Sequence, residues 1–232
     1  MPKTVPPSIR DNPFFAPSPL PFGAPPFDRI CDADYQPAIE EGMRRHLAEV
    51  SAIIEQADEP DFDNTIVALE RSGQLLSRVL KVFGGLTSAN TNDALQAMQA
   101  DEAPKLAAHT DAIFLNARLY ARVRQIFDRR AQLGLSTEQV YLAERYHLDF
   151  VRAGAQLSES DKTRLRALNQ DESKLTTDFQ NRLLAATKAG ALVIDDRSLL
   201  DGASDNDIAA AAEAAKERNL PGKWVIGLQN TT

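Results

Sequence analysis

Proline is crowded into one end of this chain, and that limits what the end can become. Nine of the 13 prolines lie between Pro2 and Pro26, and only Pro37, Pro60, Pro104 and Pro221 follow. Each proline fixes its own φ, removes a backbone donor and pushes the preceding residue toward extended geometry, so roughly the first 30 residues cannot form a regular helix. A flexible Pro-rich linker is poor in aromatics, whereas this segment carries Phe14, Phe15, Leu20, Phe22, Phe27 and Ile30. The expectation is an arm over residues 1–33, extended from about Asn12, that lies in a groove of the body and buries those rings.

From Asp34 the apolar residues recur at helical spacing. Ile39, Met43, Leu47, Val50, Ile54 and Ala57 form one stripe, read as a helix from near Pro37 to before Pro60. Asp63 is read as the cap of a second helix through Ile66, Leu69, Gly73, Leu76, Val79, Leu80 and Phe83, closed by Gly84 and Gly85. Asn92 or Asp93 opens a short helix to about Ala100. Asp101 and Pro104 then open a long one through Leu106, Ile113, Leu119, Val123 and Phe127 that stops at Gly134. Ser136 with Gln139 has capping-box spacing, and Ser158 with Asp161 starts the next helix, which carries Leu165, Leu168, Leu175, Phe179, Leu183 and Leu184 and ends near Gly190. Two β-like runs, Ala191 to Ile194 and Lys223 to Leu228, flank an alanine-rich helix from about Asp205 to Arg218.

The fold class expected is therefore mainly α: a multi-helix bundle over residues 34–190, with the proline-rich arm before it. Residues 191–232 form a strand, a helix and a strand whose ends pair as a small ribbon. The 232 residues, 43% of them hydrophobic, are enough for a sizeable core without disulfide or structural metal. A formal charge of −7 argues against a nucleic-acid or anionic-membrane surface. No apolar run approaches the roughly 20 residues of a membrane span. The N-terminus lacks the apolar core of a signal peptide, which suits a cytoplasmic protein. A periplasmic one with its leader removed would read the same.

The chemistry-bearing residues rule out most familiar kinds of site. Three histidines (His46, His109, His147) and Cys31 cannot build a four-cysteine or Cys2His2 zinc site, an iron–sulfur cluster or a disulfide framework. There is no His-Glu-x-x-His, no Gly-x-Ser-x-Gly, no Gly-x-Gly-x-x-Gly and no phosphate loop. Glu144 with His147, and His46 with Glu49, each place a carboxylate and an imidazole one helical turn apart, but a di-iron bundle needs two Glu-x-x-His runs and two further glutamates. Solvated helix pairs are the plainer reading. Cys31 reads as an ordinary buried or half-buried thiol. Arg122, Arg124, Arg129 and Arg130 read as cations complementing a helix C-terminus, and Trp224 as a core anchor. No residue is assigned a catalytic, cofactor-binding or metal-binding role, and the substrate-binding residues are unknown.

Six stretches taken in order resemble a known family. They are Asn12 to Phe22 with Pro26-Phe27-Asp28, Phe62-Asp-Asn-Thr-Ile-Val-Ala-Leu-Glu-Arg-Ser-Gly73, Phe83 to Asn92, Ala103 to His109, Phe150-Val-Arg-Ala-Gly154, and Lys223 to Thr232. Together they are similar to the N-terminal part of peptidyl-dipeptidases, the dipeptidyl carboxypeptidases of the thimet oligopeptidase and neurolysin group. The resemblance implies a zinc metallopeptidase whose two largely helical halves enclose a channel, and which removes dipeptides from the C-terminus of oligopeptides. It also implies that the zinc ligands, a His-Glu-x-x-His pair and a more distant glutamate, belong to the C-terminal half. The 232 residues contain no such motif, so no ligand or base carries over. The expectation is a non-catalytic channel-wall domain whose partners are its own catalytic half and, in the full-length enzyme, oligopeptides. Zinc is expected only there, and the isolated chain is expected to self-associate. A stand-alone helical scaffold without activity is the alternative.

Overall fold

A computed structural model describes residues 12–228, which divide into two compact units at Leu175/Thr176. The architecture is mainly α with one two-stranded sheet, the class expected.

Helix α1 spans Asp32–Glu55 and starts ahead of Pro37, where the sequence reading placed its beginning. The cause is local. Asp34 accepts hydrogen bonds from the Cys31 N–H (2.8 Å) and thiol (3.1 Å), and Asp32 and Asp34 both lie in the first turn, where the helix dipole favours negative charge. Pro37 is accommodated inside the helix at the loss of one backbone bond.

The apolar residues of α1 serve two cores. Tyr35, Ala38 and Ile39 join Phe14, Val79, Phe83 and Leu95 in one. Val50 and Ile53 join Phe62, Ile66, Leu119, Val123 and Phe150 in the other. Between them, a Cβ built on buried Gly42 would meet Leu76 Cα at 2.9 Å and Leu76 N at 3.1 Å. Leu76 belongs to α3 (Gln74–Ala89), so the two helices touch backbone to backbone at that point.

The segment between these helices departs from the expected single helix. Asp61, rather than Asp63, is the cap: Asn64 N–H donates to Asp61 Oδ1 (2.6 Å) and Asp61 N–H to Asn64 Oδ1 (3.0 Å). A wide π-type turn, Phe62–Val67, leads into the short α2, Ala68–Arg71. The chain then breaks at Gly73, whose φ of +68° is left-handed and favours glycine. Gly84 and Gly85, read as a stop, lie inside α3. Burial of Val79, Val82 and Phe83 before them outweighs a helix-propensity cost of about 1 kcal/mol per glycine.

Arg122 explains why the wide turn is held. Its guanidinium donates to Gln56 O (3.2 Å), Asp58 O (3.4 Å), Asn64 Oδ1 (3.0 Å) and Thr65 Oγ1 (3.2 Å), and the residue is only 8% exposed. It is therefore a buried clamp on residues 56–65, not one of a set of surface cations as its sequence neighbours suggested. Arg124 and Arg129 do behave as surface cations, pairing with Asp128 and Glu59.

The next two helices also divide differently from the expectation. α4 (Asp93–Phe114) is capped by Asn92 and runs unbroken through Asp101 and Pro104. The break comes later, where the Asn116 side chain accepts from Arg118 N and Leu119 N, both at 3.0 Å, and opens α5 (Ala117–Arg129). An asparagine offering its oxygen to the backbone competes with the continuing helix. α6 (Thr137–Arg152) and α7 (Glu159–Ala189) start where Ser136 and Ser158 were read as caps. Leu168, Leu175, Phe179, Leu183 and Leu184 on α7 stand exposed.

Of the arm expected over residues 1–33, residues 1–11 lie outside the described residues, and from Asn12 on the burial expected of its rings is met only in part. Asn12 donates to Asp34 O (2.8 Å), Arg78 donates to Phe14 O (2.6 Å), and the Phe14 ring packs on Tyr35 with centroids 5.3 Å apart. Phe22 and Phe27 are exposed, because the 3-10 turn Pro21–Gly23, with Phe22 at φ +60°, directs the chain away after the first anchor.

In the second unit β1 (Leu192–Ile194) pairs antiparallel with β2 (Trp224–Ile226), Val193 opposite Val225. α8 (Asp205–Glu217), capped by Ser204, buries Ala211 and Ala215. Trp224 is half-buried, and Val225 at 2% exposure is the anchor of that strand instead.

Two glycine substitutions should move stability in opposite directions. Gly42→Ala drives a methyl into the Leu76 backbone and should lower urea-unfolding stability by about 1–3 kcal/mol despite alanine's better helix propensity. Gly85→Ala meets open space and should raise it by about 0.5–1 kcal/mol. Arg122→Ala strands four acceptors and should lower thermal stability by about 3 kcal/mol. Arg124→Ala, on the exposed side of the same helix, should stay within about 0.5 kcal/mol, as circular dichroism melting can verify.

Candidate functional site

The most developed polar cluster lies on α1, α4 and the α2–α3 turn. His46 and Glu49 occupy one face of α1, a turn apart, between the two apolar cores. His109 comes from α4, and Ser72 and Gly73 from the turn. His109 Nε2 lies 3.0 Å from His46 Nδ1, His46 Nε2 lies 3.1 Å from Ser72 Oγ, and Ser72 Oγ donates to Leu69 O at 2.7 Å. The Leu69 carbonyl can only accept, and this fixes the direction of the chain. Ser72 spends its proton on Leu69, so it accepts from the His46 Nε2–H; His46 Nδ1 is then a bare acceptor for the His109 Nε2–H.

His109 Nδ1 is left as a buried lone pair with no hydrogen-bond partner. Burial, together with the neighbouring His46, lowers the His109 pKa to about 4, and burial also lowers that of His46. Glu49 accepts from the Gly73 N–H at 2.7 Å, and its charge opposes the effect of burial on His46. A Cβ at Gly73 would stand 2.8 Å from His46 Nδ1. Glycine is thus required here for its φ and for its lack of a side chain. The His46 and Glu49 spacing therefore serves a turn, with each side chain committed to a different atom.

The Glu144 and His147 pair on α6 is also divided between partners. Glu144 is bound to Arg130 at 2.8 Å. His147 stacks on Phe127 with ring centroids 3.9 Å apart, and its Nε2 lies 3.3 Å from the Tyr120 hydroxyl, which accepts from Gln156 at 2.7 Å. Arg130 covers the same Phe127 ring at 4.1 Å. These groups make a packed aromatic–cation stack. Cys31 is exposed rather than buried, and its hydrogen bond to Asp34 raises the thiol pKa, which suppresses the thiolate.

The described residues do not fit a zinc ion. Zinc takes three or four protein donors, and among the described residues no group of three or more His, Cys, Asp or Glu side chains converges. The nearest pair, His46 and His109, is bonded to itself. Three buried carboxylates are likewise occupied on one oxygen each: Asp34 by Cys31, Glu102 by Gln36 and Lys105, and Asp111 by Asn169 at 2.7 Å. No helix among the described residues is long and apolar enough to cross a membrane. Sequence reasoning weighed each of these histidines separately. The His46–His109 contact spans 63 positions, beyond the reach of any local spacing rule.

By fold, then, this is a helical protein whose buried polar groups organise turns and helix contacts. No family model matches the chain. In sequence it is related to the dipeptidyl carboxypeptidases. It is 48% identical to dipeptidyl carboxypeptidase of Escherichia coli over 221 residues, 95% of this chain and 32% of that protein. The Salmonella typhimurium dipeptidyl carboxypeptidase is also 48% identical, over 97% of this chain and 33% of its own length. More distantly, oligopeptidase A of Escherichia coli is 23% identical over 87% of the chain. The chain spans about a third of the length of the curated relatives it matches.

The buried histidines make stability depend on acidity. The folded-state pKa of His109 lies below the ordinary imidazole value of 6.5. The unfolded chain therefore binds more protons between the two values. Stability is complete above pH 6.5 and falls as the pH drops through that window to about 4, by up to about 3 kcal/mol. Urea midpoints measured from pH 7.5 to 4 should show this loss. His109→Phe should flatten that part of the profile, and an equal slope in the variant would refute the assignment to His109.

Proposed function

We propose that this chain is the N-terminal, non-catalytic helical part of a peptidyl-dipeptidase, a zinc peptidase that releases dipeptides from the C-terminus of oligopeptides. The observation that carries the reading is 48% identity across nearly all of this chain to one third of two dipeptidyl carboxypeptidases. A match that runs through 95% of one chain and 32% of the other is what a helical part of a larger peptidase would give. Within that larger protein its role is to form one wall of the substrate channel and restrict entry to flexible peptides. The zinc and its ligands belong to the remainder. Polar clusters whose members bond chiefly to one another suit a wall, because a wall must hold its shape while chemistry proceeds elsewhere.

The test is an activity comparison. The purified 232-residue chain should not hydrolyse N-blocked oligopeptides with or without added zinc. The product of the whole reading frame should release C-terminal dipeptides and lose that activity to a chelator. Chelator-sensitive cleavage by the 232-residue chain alone would overturn the non-catalytic role, and an inactive full product would overturn the peptidase reading.

A further inference from the structure

The second unit carries apolar surface that its own elements leave uncovered. All six residues of its ribbon are apolar: Leu192, Val193 and Ile194 in β1, and Trp224, Val225 and Ile226 in β2. Side chains alternate between the faces of a strand, and an antiparallel sheet with one face in water shows alternating apolar and polar residues. This ribbon shows none. Val193 and Val225 lie on one face, and Leu192, Ile194, Trp224 and Ile226 on the other. Each face has one buried member, Val225 and Ile194, beside exposed ones: Val193 at 42%, Leu192 at 57% and Ile226 at 45%. Between α8 and β2 an open groove of about 430 Å³ is lined by Leu200, Ala211, Val225 and Ile226 among others. A ribbon of two short strands is marginal without further packing.

We propose that this ribbon and groove are a docking surface for the polypeptide that follows Thr232 in the longer protein, resting on the reading above that the chain is an N-terminal part. Two observations select that occupant. The relatives that match nearly all of this chain are about three times its length, so a large body of polypeptide lies outside the match. β2 ends at Ile226, and the six residues from there to Thr232 can span at most ~20 Å. A segment continuing past Thr232 therefore starts beside the ribbon, at the high effective concentration that a short tether confers. It covers Leu192 and Ile226 with an apolar face of its own and fills the groove against Ala211.

Hydrogen exchange tests the surface without any substitution. The amides of 192–194 and 224–226 are compared between the 232-residue chain and the product of the whole reading frame, with α1 as internal reference. Exchange of the ribbon amides should slow by at least ~10-fold in the longer protein while α1 is unchanged. In parallel, Leu192→Asp should lower the melting temperature of the longer protein and leave that of the 232-residue chain where it was. Equal ribbon exchange in both proteins overturns the proposal, as does a reading frame that stops at Thr232. Ribbon protection that appears in the 232-residue chain as its concentration rises identifies a second copy as the occupant and also overturns it. Peptidase activity is assayed on the same sample: a protected ribbon in an inactive protein refutes the function and keeps the docking surface, and an active protein with an unprotected ribbon does the reverse.

Discussion

The first unit depends on a close approach of two helix backbones. At Gly42 the space beside α1 is taken by the Leu76 backbone of α3, with 2.9 Å between the position of a Cβ and Leu76 Cα. That contact lets α1 lend one half of its length to each of two apolar cores. Tyr35, Ala38 and Ile39 serve one, and Val50 and Ile53 the other. Interiors pack at the density of organic crystals, so a single methyl at this crossing would be transmitted to both.

Between those cores runs a seam of polar atoms whose satisfaction depends on tight turns. The Ser72–Gly73 turn gives His46 its acceptor, receives the Glu49 carboxylate on its N–H, and leaves no room for a side chain. Arg122 does the same for residues 56–65 with four hydrogen bonds from one guanidinium. Buried groups of this kind contribute little net stability when paired and cost several kcal/mol when one partner is lost, so they specify geometry more than they add to it.

Chemistry-bearing residues in this chain are mostly used for structure. His147 stacks on Phe127, Glu144 holds Arg130, Cys31 is bonded to the Asp34 carboxylate, and His109 is neutral and buried. The side chains that cap helices were legible because a cap is local: Ser136, Asn92 and Ser158 declare themselves within three residues. The roles of Arg122, Gly42 and His109 were not, since their partners lie 34 to 66 positions away and no spacing rule reaches that far.

By itself the sequence determined the helical class, the starts of α4, α6, α7 and α8, and the small two-stranded ribbon, because helical period, capping chemistry and strand composition are properties of neighbouring residues; the resemblance to dipeptidyl carboxypeptidases rested instead on six ordered stretches of residues. Tertiary structure decided where helices break or continue. Gly84 and Gly85 remain helical because Val79, Val82 and Phe83 are buried just before them, and α4 runs on through Pro104 with Leu95 buried before it and Ile113 after it. Asn116 breaks the helix expected to pass through it, since its side chain satisfies two backbone donors at once. It also decided which phenylalanines of the arm are inside: Phe14 fits against Tyr35, while Phe22 and Phe27 have no comparable partner among the described residues. Burial is a property of what lies opposite, and a single chain read in order does not reveal what lies opposite.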